Sequence, residues 1–301
     1  MRGARLVVVT GKGGVGKTTV TAALAAHAAT AGTRTLVVET ANDGSLAHLF
    51  GRRRLGTIPD AVADGLDAVG VDQRRLVEDY FAGMLRFQFL SKRLFASSTF
   101  NALTTAAPGI TEYLLLEKVL GWLEPEGRRA RPYDLVLVDG PATGHALTLL
   151  RAPDSLAAMV SGGPIGQTAR RLRGLLGDRT RTQVVLVSIP EEMSVRETIE
   201  THAALTDDLG LRVARAVVNR VFPRRFTAAE AARIAADGMS GPVAAGARFV
   251  LERRREAERH IGMLRRALGG MPIVVRELFS LDLRAADLAP LGRTLARTVL
   301  E

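Results

Sequence analysis

Cysteine is missing from all 301 residues, which excludes disulfides, thiolate zinc sites and cysteine nucleophiles together. No apolar run reaches the roughly 18–20 residues of a membrane-crossing helix. The apolar opening Leu6–Thr10 runs into glycines where a secretory leader carries its cleavage region. A cytoplasmic protein, with membrane contact at most peripheral, is the expectation. Aromatic residues are scarce, at 5%, and do not interleave with the basic clusters Arg52–Arg54 and Arg170–Arg173, so no nucleic-acid partner is expected. The five histidines, His27, His48, His145, His202 and His260, lack the helix-face spacing of a metal site. Lysine is rare too. Of 41 basic residues only Lys12, Lys17, Lys92 and Lys118 are lysines, and the first two share one glycine-rich loop, where a slender ammonium serves and a planar guanidinium does not. The net charge of +10 thus comes mainly from arginines with acids among them, as in Glu252–Arg259, the pattern of a solvated helix face.

What remains is the composition of a globular protein, 47% hydrophobic and 24% charged. Short apolar runs at Arg5–Val9, Thr35–Glu39, Leu66–Val71, Asp134–Val138, Gln183–Ile189, Val213–Val218 and Pro272–Val275 read as strands. They alternate with helical stretches at Thr18–Ala31, Glu112–Leu123, Ser194–Leu209, Glu230–Ala236, Ala247–Leu268 and Asp287–Leu300. Strands without a polar face are buried on both sides, so the predicted fold is α/β, a doubly wound, mainly parallel sheet. From Asp72 to about Leu123 the pattern turns helical, with long apolar residues at Tyr80, Phe81, Met84, Leu85, Phe87, Phe89, Leu90, Leu94 and Phe95. The division expected is a single domain over residues 1–301 with a small helical insertion at 72–131.

The segment Gly11-Lys12-Gly13-Gly14-Val15-Gly16-Lys17-Thr18-Thr19 lies between a predicted strand and a predicted helix, the context of a phosphate-binding loop. Its glycines let successive backbone N–H groups turn toward a β-phosphate where a Cβ would obstruct them. The helix that follows presents its positive end to the phosphates. Gly11, Gly13, Gly14, Val15 and Gly16 are therefore expected to cradle ATP. Lys17 reaches the β- and γ-phosphates, the Thr18 hydroxyl ligates Mg²⁺, and Thr19 meets the α-phosphate. Asp139, at the end of an apolar strand, is the expected partner on Mg²⁺ through water.

With Lys12, the loop resembles the deviant Walker A of the ParA, MinD and ArsA branch of P-loop ATPases. Three further segments are similar to the ArsA and guided-entry tail-anchored-protein ATPases. They are Leu135–His145, with its Asp139-Gly-Pro-Ala-Thr-Gly; Ile189–Thr198, with its Pro-Glu-Glu-Met; and Val217–Pro223. Ala107–Glu112 also looks like the segment entering the family's last insertion helix. The resemblance implies that Lys12 crosses a dimer interface to the partner's nucleotide, that Gly140–Gly144 senses the γ-phosphate, and that Asn219 hydrogen-bonds the base. It implies a homodimer, or a heterodimer with a paralogue, and a protein client on the helical insertion; core packing within that insertion is the competing account of its apolar residues.

The pattern breaks after the second strand. The family usually carries an aspartate in switch I to orient the attacking water, and here Ala41 occupies that position, with Asp43 and Glu39 the nearby carboxylates. Asp43 is the catalytic candidate if the loop is shifted. The family's zinc-bridging and arsenic-binding cysteines are absent as well, so thiol-based metalloid binding is not carried over. Three readings result: a dimeric ATPase acting on a protein partner, a hydrolysis-poor subunit beside a hydrolytic paralogue, and a positioning ATPase of the MinD or ParA kind. The last would use Leu291, Leu295 and Val299 of the closing helix on a membrane surface, a face that packing on the sheet explains equally well.

Overall fold

The computed structural model describes residues 3–41, 43–84, 109–125, 131–160, 162–236, 241–277 and 283–297. Leu85, Phe87, Phe89, Leu90, Leu94 and Phe95 of the expected insertion, and Val299 of the closing helix, lie outside the described residues, as do the side chains of Phe81 and Met84.

Strand β1 (Leu6–Gly11) leads through the glycine loop into α1 (Lys17–Thr30), then β2 (Thr35–Glu39) and the short α2 (Ser45–Leu49). A hairpin of β3 (Asp60–Ala63) and β4 (Leu66–Gly70) precedes α3 (Gln73–Met84) and α4 (Ile110–Leu123). Next come β5 (Leu135–Asp139), α5 (Thr143–Met159), α6 (Gly163–Gly177), β6 (Thr182–Ser188) and α7 (Glu192–Ala203), which runs on into a π turn at Ala204–Asp208. The chain closes with β7 (Val213–Val221), α8 (Ala228–Ala235), α9 (Pro242–Ala267), β8 (Ile273–Glu277) and α10 (Ala285–Arg297). The strands form one sheet in the order β3-β4-β2-β5-β1-β6-β7-β8. Every pairing is parallel except β3 with β4. This is the expected α/β, doubly wound architecture, of the kind found in P-loop nucleoside triphosphatases.

The solid apolar runs follow from two buried faces. Leu6, Val8, Leu36, Val38, Val136 and Val138 point into one core with residues of α3 to α7 and α9. Their neighbours Val7, Val9, Val37, Leu135 and Leu137 point into a second core with α1, α2 and α10. Alternation along a strand divides apolar residues between two helical layers, leaving no face to be polar.

Seven predicted strands appear within a few residues of the expected bounds, and β3 is the addition. Its Asp60–Ala63 residues are mostly exposed at the sheet edge, so they carry no apolar signature. Helices α5 and α6 are additions too. Pro153 lies inside α5, and Gly162, Gly163 and Pro164 stand at the start of α6; such breakers hide helical periodicity. Within α4, Tyr113, Leu114, Leu115, Leu116, Val119, Leu120 and Leu123 are buried, so this part of the expected insertion is core. The apolar face of α10 (Leu288, Leu291 and Leu295) is likewise buried in the core with α1. Among the described residues no helix is long and apolar enough to cross a membrane.

Candidate nucleotide-binding site

The parallel strands bring their carboxyl ends to one edge. The chain leaves β1 toward β2 on one side and later occupies β6 on the other, so β1 ends at the switch point where such sheets bind ligands. Gly11–Gly16 fill that point. Gly14 and Gly16 are left-handed, with φ of 78° and 94°. A Cβ on Gly16 would stand 2.4 Å from Nδ2 of Asn219, and one on Gly11 would stand 2.0 Å from the Val187 carbonyl oxygen. At Gly11 and Gly16 the loop is therefore wedged against β6 and β7 with no room for a side chain. Val15 is fully buried in the core as an anchor, while Gly13 and Gly14 are exposed at the rim, where a Cβ would meet nothing within 4 Å. Helix α1 has no acidic residue in its first turn, which leaves its N-terminal N–H groups to an anion. This cradle fits a polyphosphate.

Lys17 donates to the Lys12 carbonyl oxygen at 3.1 Å. Burial lowers its pKa, opposed by the charges of Asp139 and Glu197. Asp139 is buried and lifted to about 6 by desolvation, against hydrogen bonds from Thr18 and Thr21. Thr21 Oγ1 lies 3.2 Å from Asp139 Oδ1. Thr18 and Thr19, both half-buried, follow on α1. A hydroxyl and a desolvated carboxylate make a hard oxygen set, the chemistry Mg²⁺ requires. Beyond Asp139 the chain turns tightly: Gly140 N donates to the Val9 carbonyl at 2.9 Å, where a Cβ on Gly140 would stand 2.6 Å from that oxygen.

The carboxylates expected around switch I are engaged elsewhere. Glu39 faces Asp139 across the β2–β5 register. It is fully buried, accepts from Leu46 N at 2.8 Å through Oε1, and has no partner on Oε2. Burial raises its pKa, and its charge contributes to the rise at Asp139. Asp43 is exposed and accepts from Ser45 N at 2.9 Å in the turn that enters α2; hydrogen bonds from the Ser45 hydroxyl and N–H hold its pKa down. Ala41 instead lines a cavity of about 530 Å³ together with Thr40, Asp72, Glu112, Pro141 and His145. Asn219, expected at the base, donates from Nδ2 to the Val15 carbonyl at 2.9 Å and so ties β7 to the loop.

Two residues without an assigned role complete the site. Glu197, on α7, lies 4.0 Å from the Lys12 ammonium, and it accepts a hydrogen bond from Thr143 Oγ1. Ser194 fixes that helix, with Oγ 3.0 Å from Ser188 Oγ and 3.1 Å from Ile189 N at the end of β6. Both residues lie in segments that resemble the ArsA pattern, the one signal that pointed to them.

Comparison with known proteins points to a family of ATPases. A family model described as anion-transporting ATPase matches residues 4–162 and 165–235, more than half of the chain. The ATPase BagA of Mycobacterium tuberculosis is 29% identical over 241 residues, which cover 78% of this chain and 70% of that protein. A putative arsenical pump-driving ATPase of Halobacterium salinarum is 29% identical over 74% of this chain and 36% of its own length. An arsenical pump-driving ATPase of Escherichia coli is 28% identical over 71% of this chain and 39% of its own.

Proposed function

The chain belongs to the ArsA family of ATPases and is itself an ATPase, and from that premise we propose that it acts as a dimer that couples its nucleotide state to a protein partner. The observation that carries the reading is the second loop lysine. The Lys12 side chain is 38% exposed at the rim and restrained by one ion pair at 4.0 Å. An ammonium so placed is available to a phosphate on a facing subunit, whereas Lys17 is turned into its own loop. Thr18 and Asp139 would hold Mg²⁺, which when bound neutralises charge developing on the phosphates. The chain's own part is positioning: the glycine loop orients the phosphates, and Gly140–Gly144 follows them. ATP-dependent association tests the reading. Light scattering should show larger particles with Mg-ATP than with ADP, and Lys12→Ala should abolish the difference while retaining nucleotide. Equal dimer fractions in mutant and parent would count against it.

A second reading, a slowly hydrolysing subunit paired with a hydrolytic paralogue, is favoured by switch I. Ala41 has no group to align a water, Asp43 is spent on α2, and Glu39 is bonded to Leu46 N. A membrane-positioning role is disfavoured because the apolar face of α10 is buried with α1. Without cysteine, thiol-bound metalloid is not a substrate.

A further inference from the structure

Glu197 puts its carboxylate to two uses at once. Oε2 lies 4.0 Å from the Lys12 ammonium, and Oε1 accepts from Oγ1 of Thr143, the first residue of α5, just past the Asp139 turn. Lys17 is within reach of the same charge, which supports its ammonium against burial. The helix beneath is firmly held: Val195 and Thr198 are buried, Ser194 bonds Ile189 N at 3.1 Å, and Thr201 Oγ1 donates to the Glu197 carbonyl at 2.6 Å. One anion thus sits among both loop lysines and the turn that leaves the metal-binding strand.

Those lysines are the groups to which a γ-phosphate brings its charge. A bound ADP would end at its β-phosphate and bring one phosphoryl group's charge fewer to them. We propose that Glu197 competes with the γ-phosphate for Lys12 and Lys17, and thereby sets the preference of this site between ATP and ADP. Displacement of the carboxylate also releases Thr143, so arrival of a γ-phosphate is passed to Gly140–Gly144 through a charge exchange and not through direct contact alone. Glu197 is in this sense a specificity-determining residue; it is not required to touch the attacking water. The inference rests on the nucleotide-site reading; the competition for Lys17 lies within one chain, and that for Lys12 extends to a facing subunit's phosphate where the chain dimerises.

Glu197→Gln tests it, because glutamine keeps the shape and an acceptor for Thr143 while removing the charge. Calorimetry with Mg²⁺ should compare ADP with a non-hydrolysable ATP analogue on the full chain. The analogue should bind the variant roughly five- to tenfold more tightly than the parent, the scale of a half-exposed charge contact with a multiply charged ligand, and ADP should change less than about twofold. The gain should shrink at high salt, as screening removes the repulsion. If Glu197→Gln does not fold, Glu197→Ala serves, with the same shift in the ratio of affinities. Parallel changes for both nucleotides, or weaker binding of the analogue, would overturn the proposal. Failure of the parent to bind either nucleotide would instead overturn the nucleotide-site reading beneath it.

Discussion

Helix α10 meets α1 through Gly292, and the contact leaves no space for a methyl group. A Cβ there would stand 1.9 Å from the Ala23 carbonyl oxygen, 2.6 Å from its carbon and 2.7 Å from His27 Cβ. Helix propensity alone favours Gly292→Ala by about 0.5–1 kcal/mol. Packing opposes it. Two of the three obstructing atoms are backbone, so no rotamer change relieves the clash, and the helices must part by roughly 1 Å to restore ordinary contact. That separation pulls Leu288, Leu291 and Leu295, buried to 0%, 6% and 1% exposure, away from the core they share with Val20 and Leu24. Overpacking of this kind costs typically about 1–3 kcal/mol, and a gap of the order of 1 Å forfeits up to half of the dispersion energy of each separated pair. The packing cost wins, and a net loss of about 2 kcal/mol is expected. Gly174→Ala in α6 and Gly246→Ala in α9 supply the comparison: nothing lies within 4 Å of a Cβ at either position, so propensity acts unopposed and each should gain up to about 1 kcal/mol. Urea unfolding read by circular dichroism measures all three from the shift in midpoint at constant slope. A Gly292→Ala variant as stable as the parent would refute the close docking of the two helices.

Lys17→Ala should lose most of its affinity for Mg-ATP and Mg-ADP, since clustered phosphate charge is then left without its ammonium; calorimetry showing unchanged affinity would contradict the loop's role. Asp139 has a folded pKa of about 6, above its ordinary 3.8, so protonation favours the fold and the cost of the buried charge is complete above pH 6. Asp139→Asn should accordingly stabilise the metal-free chain by about 2–3 kcal/mol at pH 8. The gain should fade as pH falls toward 3.8, and a gain in denaturant midpoint that ignores pH would exclude this cause. Ala41→Asp should raise kcat with little change in nucleotide affinity, because an oriented water helps only the transition state. Asp43→Asn should leave the rate nearly unchanged, since asparagine also caps helices; abolished hydrolysis in that variant would make Asp43 the catalytic carboxylate.

The sequence displayed the sheet because burial on both faces leaves strands such as Leu6–Gly11 and Leu135–Asp139 almost wholly apolar. It displayed the phosphate loop because glycines and lysines are needed there at fixed positions. The engagement of Asp43 was partly legible, since Asp-Gly-Ser before an apolar run is a turn and capping pattern. Glu39 was not: its pairing with Asp139 comes from the register of two strands separated in the chain by α2, β3, β4, α3 and α4. Glu197 was harder still. Glu191, Glu192 and Glu200 share its stretch and are exposed, and nothing in the local sequence sets one glutamate apart from the others. Helix α7 starts at the carboxyl end of β6, the strand beside β1, and Ser194 fixes its first turn; this geometry turns Glu197 toward Lys12. The same edge collects Asp139 from β5 and Glu39 from β2, so Asp139 and Glu197 act on Lys17 while Glu39 stands beside Asp139. Their mutual repulsion is contained because Lys17, Lys12 and the Leu46 N–H each hold one of them. A phosphate entering this set would have to displace a carboxylate or share a cation with it, and that competition is the physical basis of the nucleotide preference proposed for Glu197.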